Sequence, residues 1–242
     1  MELTFLDYFN GILTLLVVLI EVIVWALMFN KYIRYHQKII LIMAFTLLIA
    51  TTPYIAQSIS FLLILITGEG LSPHLYFLIG IGIVPIAGLL AFYGITELVY
   101  QEKQKLVLSL FSIYLSIYYV IFFYFWFTDV SLIGTLDPVP INADFTPIIS
   151  IFMAILIFIV PIPGIMFYKE TRKAATKEIR LKGTLYLTSS IPFVAATFLS
   201  GLFSLTAITL LIARLLLFLS QIFVYFAFAM PNWLKKWISK KE

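Results

Sequence analysis

Cysteine is absent from the 242-residue chain, which removes disulfides, thiolate metal sites and thiol catalysis. Charge is scarce as well: 12% of the residues are Asp, Glu, Lys or Arg, against roughly 25% in a soluble domain. No lysine lies inside any long apolar run, so a retinal Schiff base has no point of attachment. No aspartate lies in one either, which excludes a paired-aspartate intramembrane protease. His36 and His74 fall on opposite sides of the expected membrane and cannot share a metal. Neither G-x-x-x-x-G-K-[ST] nor H-E-x-x-H occurs. No enzymatic activity, cofactor, metal site or nucleic-acid contact is expected.

What is there is apolar: 62% of the residues are hydrophobic and the mean hydropathy is +1.07. A helix crossing a ~30 Å hydrocarbon core needs about 20 such residues. The runs are continuous, without the period-two alternation of barrel strands. They predict an all-α, multi-pass seven-transmembrane-helix bundle in the plasma membrane, with lipid around it. The spans are near Tyr8–Phe29, Ile39–Ile66, Leu75–Tyr100, Leu106–Phe127, Thr146–Tyr168, Gly183–Gly201 and Leu205–Met230. The last two form one apolar stretch of about 72 Å as a single helix, which must fold back, and Gly201 and Ser204 are the turn candidates. The N-terminus MELTFLDYFNG lacks a basic n-region and a small-residue cleavage site, so the first helix is expected to remain as an anchor.

Every one of the 16 basic residues except Arg214 falls on one side of these spans, and the other side holds Glu2, Asp7, Glu69, Asp129, Asp137 and Asp144. The positive-inside rule then places the N-terminus outside and the C-terminus in the cytoplasm. Residues 1–230 form one transmembrane domain, and 231–242 a basic amphipathic tail. In the tail, Trp233, Leu234, Trp237 and Ile238 share one helical face and the lysines take the other, the pattern of a short interfacial helix.

M-F-x-K-x-x-R recurs at Met28–Arg34 and Met166–Arg172, each followed about twenty residues later by a Ser/Thr–Pro segment, Thr51–Pro53 and Ser189–Pro192. This suggests parallel repeats, helices 1–3 and 5–7 with helix 4 as linker, an arrangement known in transporters. On helix 3, Gly80, Ala87, Ala91 and Gly94 line one stripe, where small side chains let another backbone approach. Helix 3 is expected at the centre of the bundle.

Three ionisable residues lie within the spans, Glu21, Glu97 and Arg214. Each such residue costs roughly 2.5–3.5 kcal/mol to insert at mid-membrane, so each needs a reason. Glu97 is close to the cytoplasmic end and reads as an interfacial carboxylate. Arg214 and Glu21 differ in depth by about 9 Å at 1.5 Å per residue. Gln57 matches the depth of Arg214, and Gln221 that of Glu21. Two polar layers are therefore expected between helices 1, 2 and 7, with Arg214 facing an outer pocket for an anionic or carbonyl group. Polar glue between helices is the structural alternative. Tyr118 on the aromatic helix 4 is a further pocket candidate, and the acidic, proline-containing loop Thr128–Asp144 a candidate lid.

The helix plan resembles that of seven-helix receptors. Leu78–Pro85 followed by Leu90–Tyr93, with its mid-helix proline and aromatic exit, resembles the seven-helix sensor region of prokaryotic histidine kinases. The resemblance implies signal transduction from a small ligand. No output domain follows Glu242 in this sequence, so a separate cytoplasmic signalling protein is expected. Lys169, Arg172, Lys173, Lys177, Arg180 and Lys182 are its expected contacts. The alternatives are a small-solute transporter built on the 3+1+3 repeat and an accessory subunit of a larger membrane complex.

Overall fold

The structure, a computed structural model, describes residues 3–137, 141–202, 206–231 and 234. Helices dominate: α1 (Phe5–Tyr35), α2 (Lys38–Ala50), α3 (Thr52–Thr67), α4 (Pro73–Phe77), α5 (Val84–Val99), α6 (Gln104–Thr128), α7 (Pro147–Ile159), α8 (Pro161–Thr171), α9 (Lys177–Leu202) and α10 (Ala207–Phe228). Among the described residues five helical stretches are long and apolar enough to cross a membrane, six if the bent pair α2–α3 is one span. This is the pattern of a membrane-embedded protein. The helix α9 falls outside that set, and four of its first six residues are charged.

The fold is all-α, with one small hairpin beside the helices. The loop after α6 contains a two-stranded antiparallel hairpin, β1 (Gly134–Leu136) and β2 (Ala143–Phe145), with Thr135 opposite Asp144. A short hairpin in a proline-containing loop carries no helical periodicity and too few residues to stand out as strands.

Prolines set the breaks, and hydroxyls repair them. A proline lacks the N–H that would bond the carbonyl four residues earlier. Pro53 deprives Ile49 O, which accepts instead from Thr52 Oγ1 at 2.8 Å, and α2 and α3 meet at 50°. Pro85 deprives Ile81 O, at the end of a π-helical turn spanning Leu78–Gly82, and the Tyr118 hydroxyl donates to that oxygen at 2.9 Å. Pro192 lies inside the continuous α9 and deprives Thr188 O; the next carbonyl, Ser189 O, accepts from Ser220 of α10 at 2.8 Å. Within a membrane such carbonyls have no water to turn to, so side-chain donors matter. The Pro53 segment breaks its helix and the Pro192 segment does not. The two M-F-x-K-x-x-R copies end α1 and α8, and of those two spans only the second is divided, at Val160.

The segment Pro73–Val99 is the most enclosed of the apolar stretches, half buried over its core window against 22–39% for the others. Its glycines explain the close packing. A Cβ at Gly88 would come within 2.6 Å of the Phe111 ring, and one at Gly94 within 2.9 Å of Ile39.

The helices α1 and α10 run side by side in the same direction. Asn10 bonds Arg214, Val17 packs in one cluster with Ala213 and Leu217, Val24 in another with Val224, and Lys31 Nζ donates to Met230 O at 2.7 Å. At the basic end the Tyr100 hydroxyl reaches Glu170 Oε1 at 2.8 Å, tying α5 to α8. Acting as donor to this carboxylate holds the Tyr100 hydroxyl above its ordinary pKa. The helix α9 runs to Leu202, with the expected turn residue Gly201 inside it, and α10 starts at Ala207; the other turn candidate, Ser204, lies outside the described residues. Leu234 is buried beside Met230, while Trp233, Trp237, Ile238 and the tail lysines lie outside the described residues.

Candidate functional site

A cavity of about 660 Å³ opens among α3, the α4–α5 segment, α7, α9, α10 and the hairpin. The breaks described above make room for it: Ala50 and Pro53 at the α2–α3 bend, Gly80 and Ile81 in the π-helical turn, and Val160 at the α7–α8 junction all line it. Apolar walls come from Phe77, Met153, Leu156 and Phe193.

Its polar floor is built around Arg214. The side chain is 5% exposed. Its Nη2 donates to Asn10 Oδ1 at 2.9 Å and to Gln57 Oε1 at 3.3 Å. The guanidinium carbon lies 4.7 Å from the Tyr54 ring centre, over its electron-rich face. Both acceptors are neutral amides, and no carboxylate pairs with Arg214 among the described residues. The remaining N–H groups, on Nε and Nη1, form no hydrogen bond among the described residues. A buried guanidinium with spare donors and uncancelled charge is costly unless something completes its shell. Placed on a cavity wall, it can receive an anion from that cavity.

The hairpin loop is locked onto the bundle. Asn10 Nδ2 donates to Asn142 Oδ1 at 2.9 Å, the Tyr76 hydroxyl donates to Ile141 O at 2.9 Å, and Ile141 is fully buried beside Phe61 and Ile64. Asn10 thus serves two masters: its carbonyl oxygen holds Arg214 and its amide holds the hairpin. Asp137, Asn142, Asp144 and Phe145 bring the described part of the loop into the cavity wall, with Asp144 and Phe145 exposed at its mouth.

The structure brings Gln57 and Arg214 together as one hydrogen-bonded pair. Glu21 and Gln221 are not joined. Glu21 is fully buried with both carboxylate oxygens unpartnered, and Gln221 is buried with Oε1 unpartnered. Neither Glu21 nor Gln221 lines the large cavity. Tyr118 also does not line it; its hydroxyl donates to Ile81 O. Asn10, Tyr54, Tyr76 and Asn142 belong to the site without having been singled out by the sequence. They are neutral, and a neutral polar side chain in a span carries no insertion cost large enough to draw notice.

A second, smaller cavity of about 100 Å³ lies toward the basic end, among Met43, Leu47, Phe92, Tyr186 and Val224. Both cavities touch Ala50, Ala87, Gly88, Leu156, Val160 and Phe193, so one layer of side chains separates them.

The expected partner-contact residues surround the α8–α9 turn. Lys173 pairs with Glu170 at 2.9 Å and Lys182 with Glu178 at 2.8 Å, Arg172 sits 5.9 Å from the Tyr168 ring centre, and Arg180 Nη1 donates to Ala174 O at 3.1 Å. Lys169 and Lys177 are exposed on the same segment. No group of three or more His, Asp or Glu side chains gathers at metal-binding distance among the described residues. Compared with known proteins, the chain matches no family model, no curated protein and no solved structure.

Proposed function

We propose that this is a seven-helix receptor-like protein of the plasma membrane that binds a small anionic ligand in the cavity at Arg214 and signals its occupancy to a cytoplasmic partner. The hairpin end is the outside, by the one-sided distribution of lysine and arginine. The helix α9, at 26 residues, supplies the remaining crossing, about 39 Å long. The parallel run of α1 and α10 supports an odd number of passes, since two spans running in the same direction need an odd number of crossings between them.

The observation that carries the reading is the buried Arg214 with free Nε and Nη1 donors on the wall of a cavity of about 660 Å³. That volume lies in the usual range for small-molecule sites. The helix breaks beside the cavity provide elements that a ligand can bias, and α8 and α9 lead from it to the basic turn. The helix plan's resemblance to histidine-kinase sensor regions fits this reading, with the partner on Lys169, Arg172, Lys173, Lys177, Arg180 and Lys182.

The test is binding of a panel of small carboxylates and phosphates to the full chain in nanodiscs, by calorimetry. Arg214→Gln is expected to weaken any ligand of the cavity about 10- to 100-fold, the worth of one to two charge-assisted hydrogen bonds. Equal binding by wild type and Arg214→Gln across the panel overturns the reading.

A transporter is the second reading, favoured by the thin layer between the two cavities at the level of the breaks. Flux of the bound ligand into proteoliposomes separates the two. The receptor reading expects none.

A further inference from the structure

Resting on the ligand site proposed above, we infer that its ligand is a zwitterion with an apolar body, carboxylate toward Arg214 and ammonium toward Asp137. The charged residues among the described lining of the cavity are three: Arg214, Asp137 and Asp144. Arg214 sits on the polar floor with Gln57 and Tyr54, and the two aspartates sit on the hairpin at the mouth. Tyr76, whose hydroxyl donates to Ile141 O in the loop that carries Asp137, lines the same cavity as Arg214, so the two opposite charges share one wall. They do not pair with each other, and neither aspartate forms an ion pair with any cation among the described residues.

Two opposite charges that face one space without touching select for both signs at once. A simple anion passing the mouth meets two carboxylates, and a simple cation reaching the floor meets an unneutralised guanidinium. A molecule carrying both groups satisfies each end, and the desolvation of each of its charges is offset by the opposite charge in the wall. The space between is apolar, with Phe77, Ile81, Met153, Leu156 and Phe193 on its walls. That suits a hydrocarbon side chain better than a sugar or a polyol. The hairpin that holds Asp137 is fixed by Asn10–Asn142 and Tyr76–Ile141, and the backbone N–H of Asp137 donates to Asn142 O at 3.3 Å. The backbone that carries the aspartate is therefore held in place, which reduces the ordering cost of binding.

The experiment compares matched probes on the full chain in nanodiscs: leucine and phenylalanine, their deaminated acids 4-methylpentanoate and 3-phenylpropionate, and their decarboxylated amines. Glycyl-leucine distinguishes a free amino acid from a short peptide. The zwitterions are expected to bind at least tenfold more tightly than either half-molecule. Asp137→Asn is expected to bring them down to the level of the acids while leaving the affinity for the acids unchanged or higher. Acids that bind as tightly as zwitterions, or an Asp137→Asn variant that still prefers zwitterions, overturn the inference and leave the anion site at Arg214 standing. If neither class binds wild type, or Arg214→Gln binds both as wild type does, the anion site fails with it.

Discussion

Arg214 and Glu21 are both ionisable side chains buried within apolar helices, and their surroundings differ. Arg214 has two amide acceptors, an aromatic face and a cavity in front of it. Glu21 is fully buried with both oxygens unpartnered and lines neither cavity. The first is a charge held in place by neutral groups with donors to spare, an arrangement that invites a ligand. The second is a carboxyl enclosed by side chains, cheapest to bury in its neutral form. Burial of a charge-capable residue is thus not by itself a sign of a site. The space beside it, and the partners that orient it, separate the two cases.

The comparison can be broken most forcefully at Asn10. Its side chain joins Arg214 to the hairpin, so Asn10→Ala frees both at once. About tenfold weaker ligand binding is expected in nanodisc calorimetry, from the loss of one charge-assisted hydrogen bond. Binding unchanged in Asn10→Ala would mean that Arg214 is held by other means. Next in size is Tyr118→Phe. It removes the donor that serves Ile81 O in place of the Pro85 N–H, and about 1 kcal/mol of stability is expected to go with it. A lower midpoint in a denaturant titration, with ligand affinity unchanged, is the expected pattern. A loss of affinity without loss of stability would return Tyr118 to the ligand site. The smallest effect is expected at Glu21. Glu21→Gln keeps the shape and removes the possibility of charge, so thermal stability should stay level or rise, and ligand affinity should stay within about twofold. A Glu21→Gln protein that folds but no longer binds would give the basic half a functional role.

Much of this contrast is legible in the sequence, for a definite reason. Helical rise fixes depth, so Gln57 can be matched to Arg214 from numbering alone, and the two are bonded. Depth does not fix rotation. Gln221 shares the level of Glu21, since Val17 packs with Leu217 and Val24 with Val224, but no hydrogen bond joins them. Rotation about a helix axis is settled by packing, which an apolar sequence of narrow alphabet specifies weakly. Tyr118 fails differently: its depth is right, but the carbonyl left open by Pro85 takes its hydroxyl first. Asn10 and Asn142 meet across 132 positions of sequence, a separation that no local pattern reports. The proline breaks are visible in the sequence as positions but not as angles. Thr51–Pro53 bends its helix by 50°, while Ser189–Pro192 leaves α9 continuous.

The central claim is that the Arg214 cavity faces the outside, and the natural absence of cysteine makes the measurement direct. Thr197 and Ser150 line the cavity, and Ala174 sits in the turn at the basic end. Single Thr197→Cys, Ser150→Cys and Ala174→Cys variants in intact cells are to be treated with a membrane-impermeant thiol reagent. The account predicts that the two cavity positions are modified from outside and that Ala174→Cys is modified only after the cells are opened. Labelling of Ala174→Cys in intact cells, with the cavity positions protected until the cells are opened, would contradict it.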